Sequence, residues 1–122
     1  MRVLIDTSVW IDHFHRTDPH LQVCLQAGLI WTHTAVIGEL ATGRMKRRAE
    51  VLRHLRQLPR ADEIDLEEGL HLLDEHALTG QGLSWSDVQL LAAARIDGLK
   101  LWTWDRALAK AAANLDLAYT TD

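Results

Sequence analysis

Apolar residues recur along this chain in two alternating rhythms. Arg2-Val3-Leu4-Ile5 is a short β-branched run that breaks at Asp6-Thr7-Ser8, a cluster suited to capping a helix, so the chain opens as strand, turn and helix. Pro19 to Gln26 predicts a second helix ended by Gly28, and Leu29-Ile30-Trp31 a short buried strand. Thr32 or Thr34 is placed to cap a helix that runs through Ala41 and closes at Gly43. Within Arg47 to Leu58 the apolar positions Val51, Leu52, Leu55 and Leu58 have helical spacing, and Pro59 ends the run. An amphipathic helix follows at Leu66 to Leu78, then the loop Thr79-Gly80-Gln81-Gly82 and the most apolar helix, Ser84 to Asp97, which stops at Gly98. Lys100-Leu101-Trp102-Thr103 reads as a strand, Asp105 to Ala113 as a helix, and Leu115 to Tyr119 as a last strand. Strands alternating with helices imply parallel β-α-β crossovers and a helix-covered sheet, an α/β fold.

The 122 residues suffice for one real core and not for two, so residues 1–122 are read as a single domain. A hydrophobic share of 48% and a charged share of 25% are those of a globular protein, and the longest apolar stretch, Val88 to Ala94, is far too short to cross a membrane. A cytoplasmic protein is expected. Cys24, the one cysteine, rules out an internal disulfide and reads as a buried structural thiol.

A net charge of −4 argues against a uniformly basic nucleic-acid coat. The charges are nonetheless segregated. Arg44, Lys46, Arg47, Arg48, Arg53, Arg56 and Arg60 face only Glu50 in their stretch, whereas Asp62 to Glu75 holds seven acids and no Lys or Arg. Two solvated helix faces attracting each other would explain this; so would a basic segment that contacts RNA phosphates on an otherwise acidic surface.

Four acids stand where a solvated surface charge is not expected. Asp6 and Asp105 each follow a strand, and ligands of open parallel sheets bind beyond the carboxyl ends of strands. Glu39 interrupts the apolar helix Ala35-Val36-Ile37-Gly38-Glu39-Leu40-Ala41 and is expected to point into a partly buried space; Asp87 lies in the first turn of the most buried helix. Taken singly, Asp6 and Asp105 read as N-caps, Ser84-Trp85-Ser86-Asp87 as a capping box, and Glu39 as a surface partner of Arg44. Convergence of all four would create a repulsion that protonation or a cation must relieve, and oxygen-only ligands select Mg²⁺ or Mn²⁺ over Zn²⁺. The histidines agree, since His13 with His15 and His71 with His76 lack the spacing of zinc ligands on one helix face.

These residues resemble the motifs of the PIN-domain nucleases, most closely the VapC-type ribonuclease toxins of toxin–antitoxin pairs. Leu4-Ile5-Asp6-Thr7-Ser8-Val9-Trp10-Ile11-Asp12 looks like the first motif and Ile37-Gly38-Glu39-Leu40-Ala41-Thr42-Gly43 like the second. Leu83 to Ala94 looks like the third, and Leu101-Trp102-Thr103-Trp104-Asp105 like the fourth. The match spans nearly the whole chain in order. It implies a three-layer α/β/α sandwich around a mainly parallel sheet, endonuclease cleavage of RNA, a homodimer, and a small VapB-like antitoxin that blocks the site. Carried over, it makes Asp6, Glu39, Asp87 and Asp105 catalytic, with Asp6, Asp87 and Asp105 holding one or two Mg²⁺ or Mn²⁺ ions that activate a water. Thr7, Ser8 and Thr103 would support them through hydroxyls. Trp104 stands where the family often has a polar or basic residue.

Arg44 is the first candidate for a phosphate contact, and Trp85, Trp102 and Trp104 are candidates for stacking on unpaired bases, with core packing favoured for Trp102. Two rivals are a phosphoacceptor receiver and a catalytically silent PIN-fold binding module. The receiver needs paired acids after its first strand, where Asp6 stands alone, and a lysine after a late strand, where Lys100 precedes its strand.

Overall fold

The computed structural model describes residues 1–121. Three short strands, β1 (Val3–Ile5), β2 (Ile30–Trp31) and β3 (Lys100–Trp102), form one parallel sheet in the order β2-β1-β3. Helices α1 (Thr7–His15) and α2 (Pro19–Gln26) connect β1 to β2; α3 (Thr34–Thr42), α4 (Arg48–Gln57), α5 (Leu66–Glu75) and α6 (Trp85–Asp97) connect β2 to β3; α7 (Arg106–Asn114) follows. Val3, Leu4 and Ile5 are all fully buried. Successive strand residues point to opposite faces, so both faces of the central strand are covered, as a helix-sandwiched parallel sheet requires. No helix among the described residues is long and apolar enough to cross a membrane.

β1 lies at the point where the strand order reverses. The chain steps from β1 to one neighbour and then crosses back to the other, which opens a crevice beyond the carboxyl ends of β1 and β3. Asp6 and Asp105 are delivered to that crevice.

Three expected boundaries move, each for a local reason. The last strand shrinks to a single bridge, Leu101 with Ala118, because Leu115 and Asp116 finish α7: the Leu115 and Asp116 N–H groups bond back to Ala111 and Ala113, and Asp116 turns through φ 59°. The fifth helix ends at Glu75 rather than Leu78, since Ala77 takes φ 52° and breaks the ladder. The cap of α3 is neither Thr32 nor Thr34 but His33 between them, whose Nδ1 accepts the Ala35 N–H at 3.0 Å.

His33 is buried, and burial pushes its pKa below 6.5 against the opposing influence of Glu63, the Asp62 carbonyl and Asp97. Only the unprotonated Nδ1 can accept the capping bond. A histidine whose folded-state pKa is depressed contributes fully above its unfolded value near 6.5, and that contribution is lost as pH falls through the folded value. The urea midpoint is therefore expected to decline on acidification below pH 6.5, and His33→Asn, a cap that does not titrate, to flatten the decline. Parallel slopes in the two proteins would assign the decline elsewhere.

Candidate active site

Asp6 is the most enclosed of the four acids, at 8% exposure. Its backbone occupies the N-cap of α1, yet its carboxylate makes no capping bond. Oδ2 instead accepts from Ser8 Oγ and from Thr103 Oγ1, both at 2.7 Å. Each hydroxyl gives its one hydrogen to Asp6 and takes a backbone N–H in return: Thr103 from Asp105 and Ser8 from Trp104, both at 3.0 Å. Two small side chains thus lock the end of β1 to the turn after β3, and they hold Asp6 as a carboxylate acceptor.

The other three acids are anchored in the same one-sided way. Asp105 caps α7 through Oδ1, which accepts the Leu108 N–H at 2.9 Å. Asp87 closes a capping box on α6, its Oδ2 accepting the Ser84 N–H at 2.9 Å while Ser84 Oγ accepts the Asp87 N–H at 3.1 Å. Glu39 Oε2 accepts from Thr7 Oγ1 at 3.0 Å. The capping readings therefore hold for Asp87 and Asp105 and fail for Asp6. Glu39 is exposed rather than partly buried: α3 buries Val36 and Leu40, and a neighbour one residue along a helix is turned about 100° away.

Each of the four carboxylates commits one oxygen to the protein and has the other without a hydrogen bond among the described residues. None is in an ion pair there either; the pairs present all gather at Glu75, with His71, His76 and Arg95. Burial raises the Asp87 carboxyl above its ordinary value, the Ser84 N–H opposes this, and the charges of Asp6 and Asp105 raise it further. Three acids on separate elements thus feel one another's charge. The set suits a hard divalent cation by its oxygen-only chemistry and its free lone pairs. Among the described residues no three acidic, His or Cys side chains close tightly enough to chelate an ion, as expected of like charges with nothing between them.

The basic and acidic segments make no close ion pair with each other among the described residues. Arg44 is exposed and lines a cavity of about 900 Å³ with Glu39, Phe14, Leu40, Met45 and Val51. The three tryptophans divide. Trp102 is a core residue at 2% exposure, Trp104 is 52% exposed, and Trp85, 42% exposed, rests its ring on Gly69 of α5.

Gly69 was not among the candidate residues, although a glycine inside an otherwise good helix is a signal of close approach. A Cβ there would overlap Trp85 Cη2. Gly69→Ala is expected to lower stability by roughly 1–2 kcal/mol, overpacking outweighing the better helix propensity of alanine. Trp85→Phe in the same chain should recover part of the loss by removing the clashing atom. Denaturant midpoints of the three variants check this, and an unchanged midpoint for Gly69→Ala would mean that the ring slides aside freely.

A model of the PIN domain matches residues 3–114. Two proteins of Mycobacterium tuberculosis, both named ribonuclease VapC32 and coming from strains CDC 1551 / Oshkosh and ATCC 25618 / H37Rv, are 38% identical over 117 residues, covering 95% of this chain and 94% of theirs. Among solved structures, PAE2754 from Pyrobaculum aerophilum superposes with a TM-score of 0.66 at 21% identity, covering 98% of this chain and 88% of that one. VapC20 of Mycobacterium tuberculosis, described as a sarcin-ricin loop cleaving toxin, gives 0.64 at 17% identity, covering 89% and 94%. FitAcB from Neisseria gonorrhoeae gives 0.60 at 20% identity, covering 95% and 94%. At such identities the structural likenesses speak for the fold. The family match over nearly the whole chain and the well-covered relatives together show that this chain belongs to the PIN-domain family.

Proposed function

We propose that the chain is a Mg²⁺- or Mn²⁺-dependent endoribonuclease, the toxin of a toxin–antitoxin pair, that hydrolyses RNA phosphodiester bonds at Asp6, Glu39, Asp87 and Asp105. The observation that carries this reading is the half-anchored state of the four carboxylates, which among the described residues each have an unpaired oxygen and no ion-paired cation. Membership of the PIN-domain family and the names of the two ribonuclease relatives support it.

One or two divalent ions held by Asp6, Asp87 and Asp105 would supply a water of lowered pKa and neutralise charge on the phosphoryl group. The protein's own contribution is orientation. Ser8 and Thr103 fix Asp6, the backbone of α7 fixes Asp105, the Ser84 capping box fixes Asp87, and Thr7 holds Glu39 where it orients the attacking water or completes the ligand shell. Arg44, beside Glu39 in the large cavity, receives a substrate phosphate at the rim.

A small VapB-like antitoxin is the inferred regulator. The cavity's apolar floor of Ile11, Phe14, Leu40 and Val51, reaching to Glu39, suits an amphipathic segment that would cover the site. The exposed Leu66 and Leu70, one helical turn apart on α5, favour a homodimer. A cytoplasmic location is inferred from the RNA substrate.

The test is incubation of the purified chain with structured and unstructured RNAs, with and without Mg²⁺ or Mn²⁺, beside Asp6→Asn. Cleavage is expected only with added ion and only in the unvaried chain. Ion-independent cleavage would overturn the metal-dependent mechanism, and no cleavage of any RNA would favour the silent binding module.

A further inference from the structure

Trp104 is the largest apolar side chain exposed beside the candidate active site. It lies between Thr103 and Asp105, and its own N–H is bonded to Ser8 Oγ, the same hydroxyl that donates to Asp6. Its backbone is therefore fixed relative to the catalytic carboxylates. The ring is supported from below. Trp102 meets it edge-on, with centroids 6.0 Å apart at 83°, and Trp102 is itself packed against His20 and Tyr119 at 5.6 and 5.4 Å. Trp102 is 2% exposed and Trp104 is 52% exposed, so on the side of the candidate site the cluster ends in an aromatic surface open to solvent. Trp85, by contrast, is occupied by Gly69.

Arg106 stands on the other side of Asp105, exposed and outside any ion pair among the described residues. The sequence Trp104-Asp105-Arg106 thus places an aromatic face, a carboxylate and a cation in succession at the mouth of the crevice. An acidic peptide would gain from Arg106 but meet the uncompensated carboxylates. A nucleotide chain suits the aromatic face and the cation, since its phosphates seek cations and its bases offer π-faces, and a divalent ion between phosphate and carboxylates would relieve their repulsion.

We infer that Trp104 is a stacking platform for an unpaired nucleobase adjoining the scissile phosphate, with Arg106 contacting a neighbouring phosphate, so that the site selects single-stranded or looped RNA. This rests on the reading of the four acids as the cleavage site. Bases paired within a duplex are stacked on each other and do not present a free face, whereas any splayed base does. A platform held to Asp6 through one serine also sets which phosphate reaches the carboxylates.

The experiment measures binding without turnover, using Asp6→Asn as the parent and a fluorescently labelled oligoribonucleotide at one fixed salt concentration, either single-stranded or annealed to its complement. The parent is expected to prefer the single strand. Adding Trp104→Ala should weaken single-strand binding by about five-fold or more, the range for loss of one stacked base, and leave duplex binding unchanged, with only a small drop in melting temperature from the lost Trp102 contact. Trp104→Phe should retain most of the affinity, because any aromatic face stacks. Equal affinity of Trp104→Ala and its parent for the single strand, an equal loss on the duplex, or a Trp104→Phe as weak as Trp104→Ala would each overturn the inference. Cleavage by the unvaried chain in separate reactions reports on the four acids alone.

Discussion

Asp6→Asn is expected to lower RNA cleavage by more than about 100-fold while the melting temperature stays level or rises. Losing a residue that merely supports a metal ligand commonly costs about 10–100-fold, so losing Asp6, proposed above as a ligand, should exceed that. The fold should survive because asparagine keeps an oxygen where Ser8 Oγ and Thr103 Oγ1 donate, both at 2.7 Å. The electrostatic argument points to added stability. Asp6 contributes to the raised pKa of Asp87, so the two charges oppose each other in the folded protein, and removing one relieves that opposition. Cleavage assays and thermal melts of one preparation test both halves. Full activity in clean protein would remove Asp6 from the reaction, whereas a collapsed melt would make it a structural residue.

The second large effect belongs to Thr103. Its buried hydroxyl donates to Asp6 and accepts from the Asp105 backbone, so it sets the position of two acids at once. Thr103→Val preserves the shape and deletes both bonds. The ion concentration needed for half-maximal cleavage should rise by about 10–100-fold, while the maximal rate at saturating ion falls less. Stability should drop by roughly 1–3 kcal/mol, since the Asp105 N–H and one Asp6 lone pair lose their partner. Thr103→Ser, which restores the hydroxyl, should return the ion requirement close to its starting value. A metal titration indistinguishable from that of the unvaried chain would limit Thr103 to packing.

Much of this architecture was legible in the chain because its punctuation is strong. Val3-Leu4-Ile5 has no helical alternative before Asp6, and Pro19, Gly28, Gly43, Pro59 and Gly98 mark where elements start or stop. The readings that failed depended on a partner distant in sequence or on a competition between neighbours. Leu115 and Asp116 have strand-like surroundings, but the end of α7 claims their backbone first. His33 caps α3 although threonine is far commoner in that role, because the Thr32 backbone is drawn into a bridge with Arg60 and Thr34 is already helical, which leaves the extended His33 at the cap position.

The candidate acids were legible as a set, and their individual standing was not. Glu39 drew notice because it caps nothing in an apolar helix, yet its side chain lies in solvent, held by Thr7. Asp6, which has the simplest capping explanation by position, is the one whose carboxylate does not cap. Gly69 was invisible as a functional neighbour because the ring it accommodates comes from Trp85, on the next helix.

The single bridge that replaced the expected last strand has a bearing on how other chains can approach. In β3, Lys100 and Trp102 direct their backbone groups to β1, and only Leu101 faces outward; its N–H goes to Leu117 at 2.7 Å and its C=O takes the Tyr119 N–H at 3.0 Å. That edge therefore offers an incoming strand nothing to zip onto, and on the opposite side Thr32 is likewise occupied by Pro59 and Ala61. The short tail from Leu117 to Tyr119 thus plugs the β3 edge against β-augmentation. Trimming the chain before Leu117 would strip the Leu101 N–H and C=O of these partners and leave that edge open to another strand.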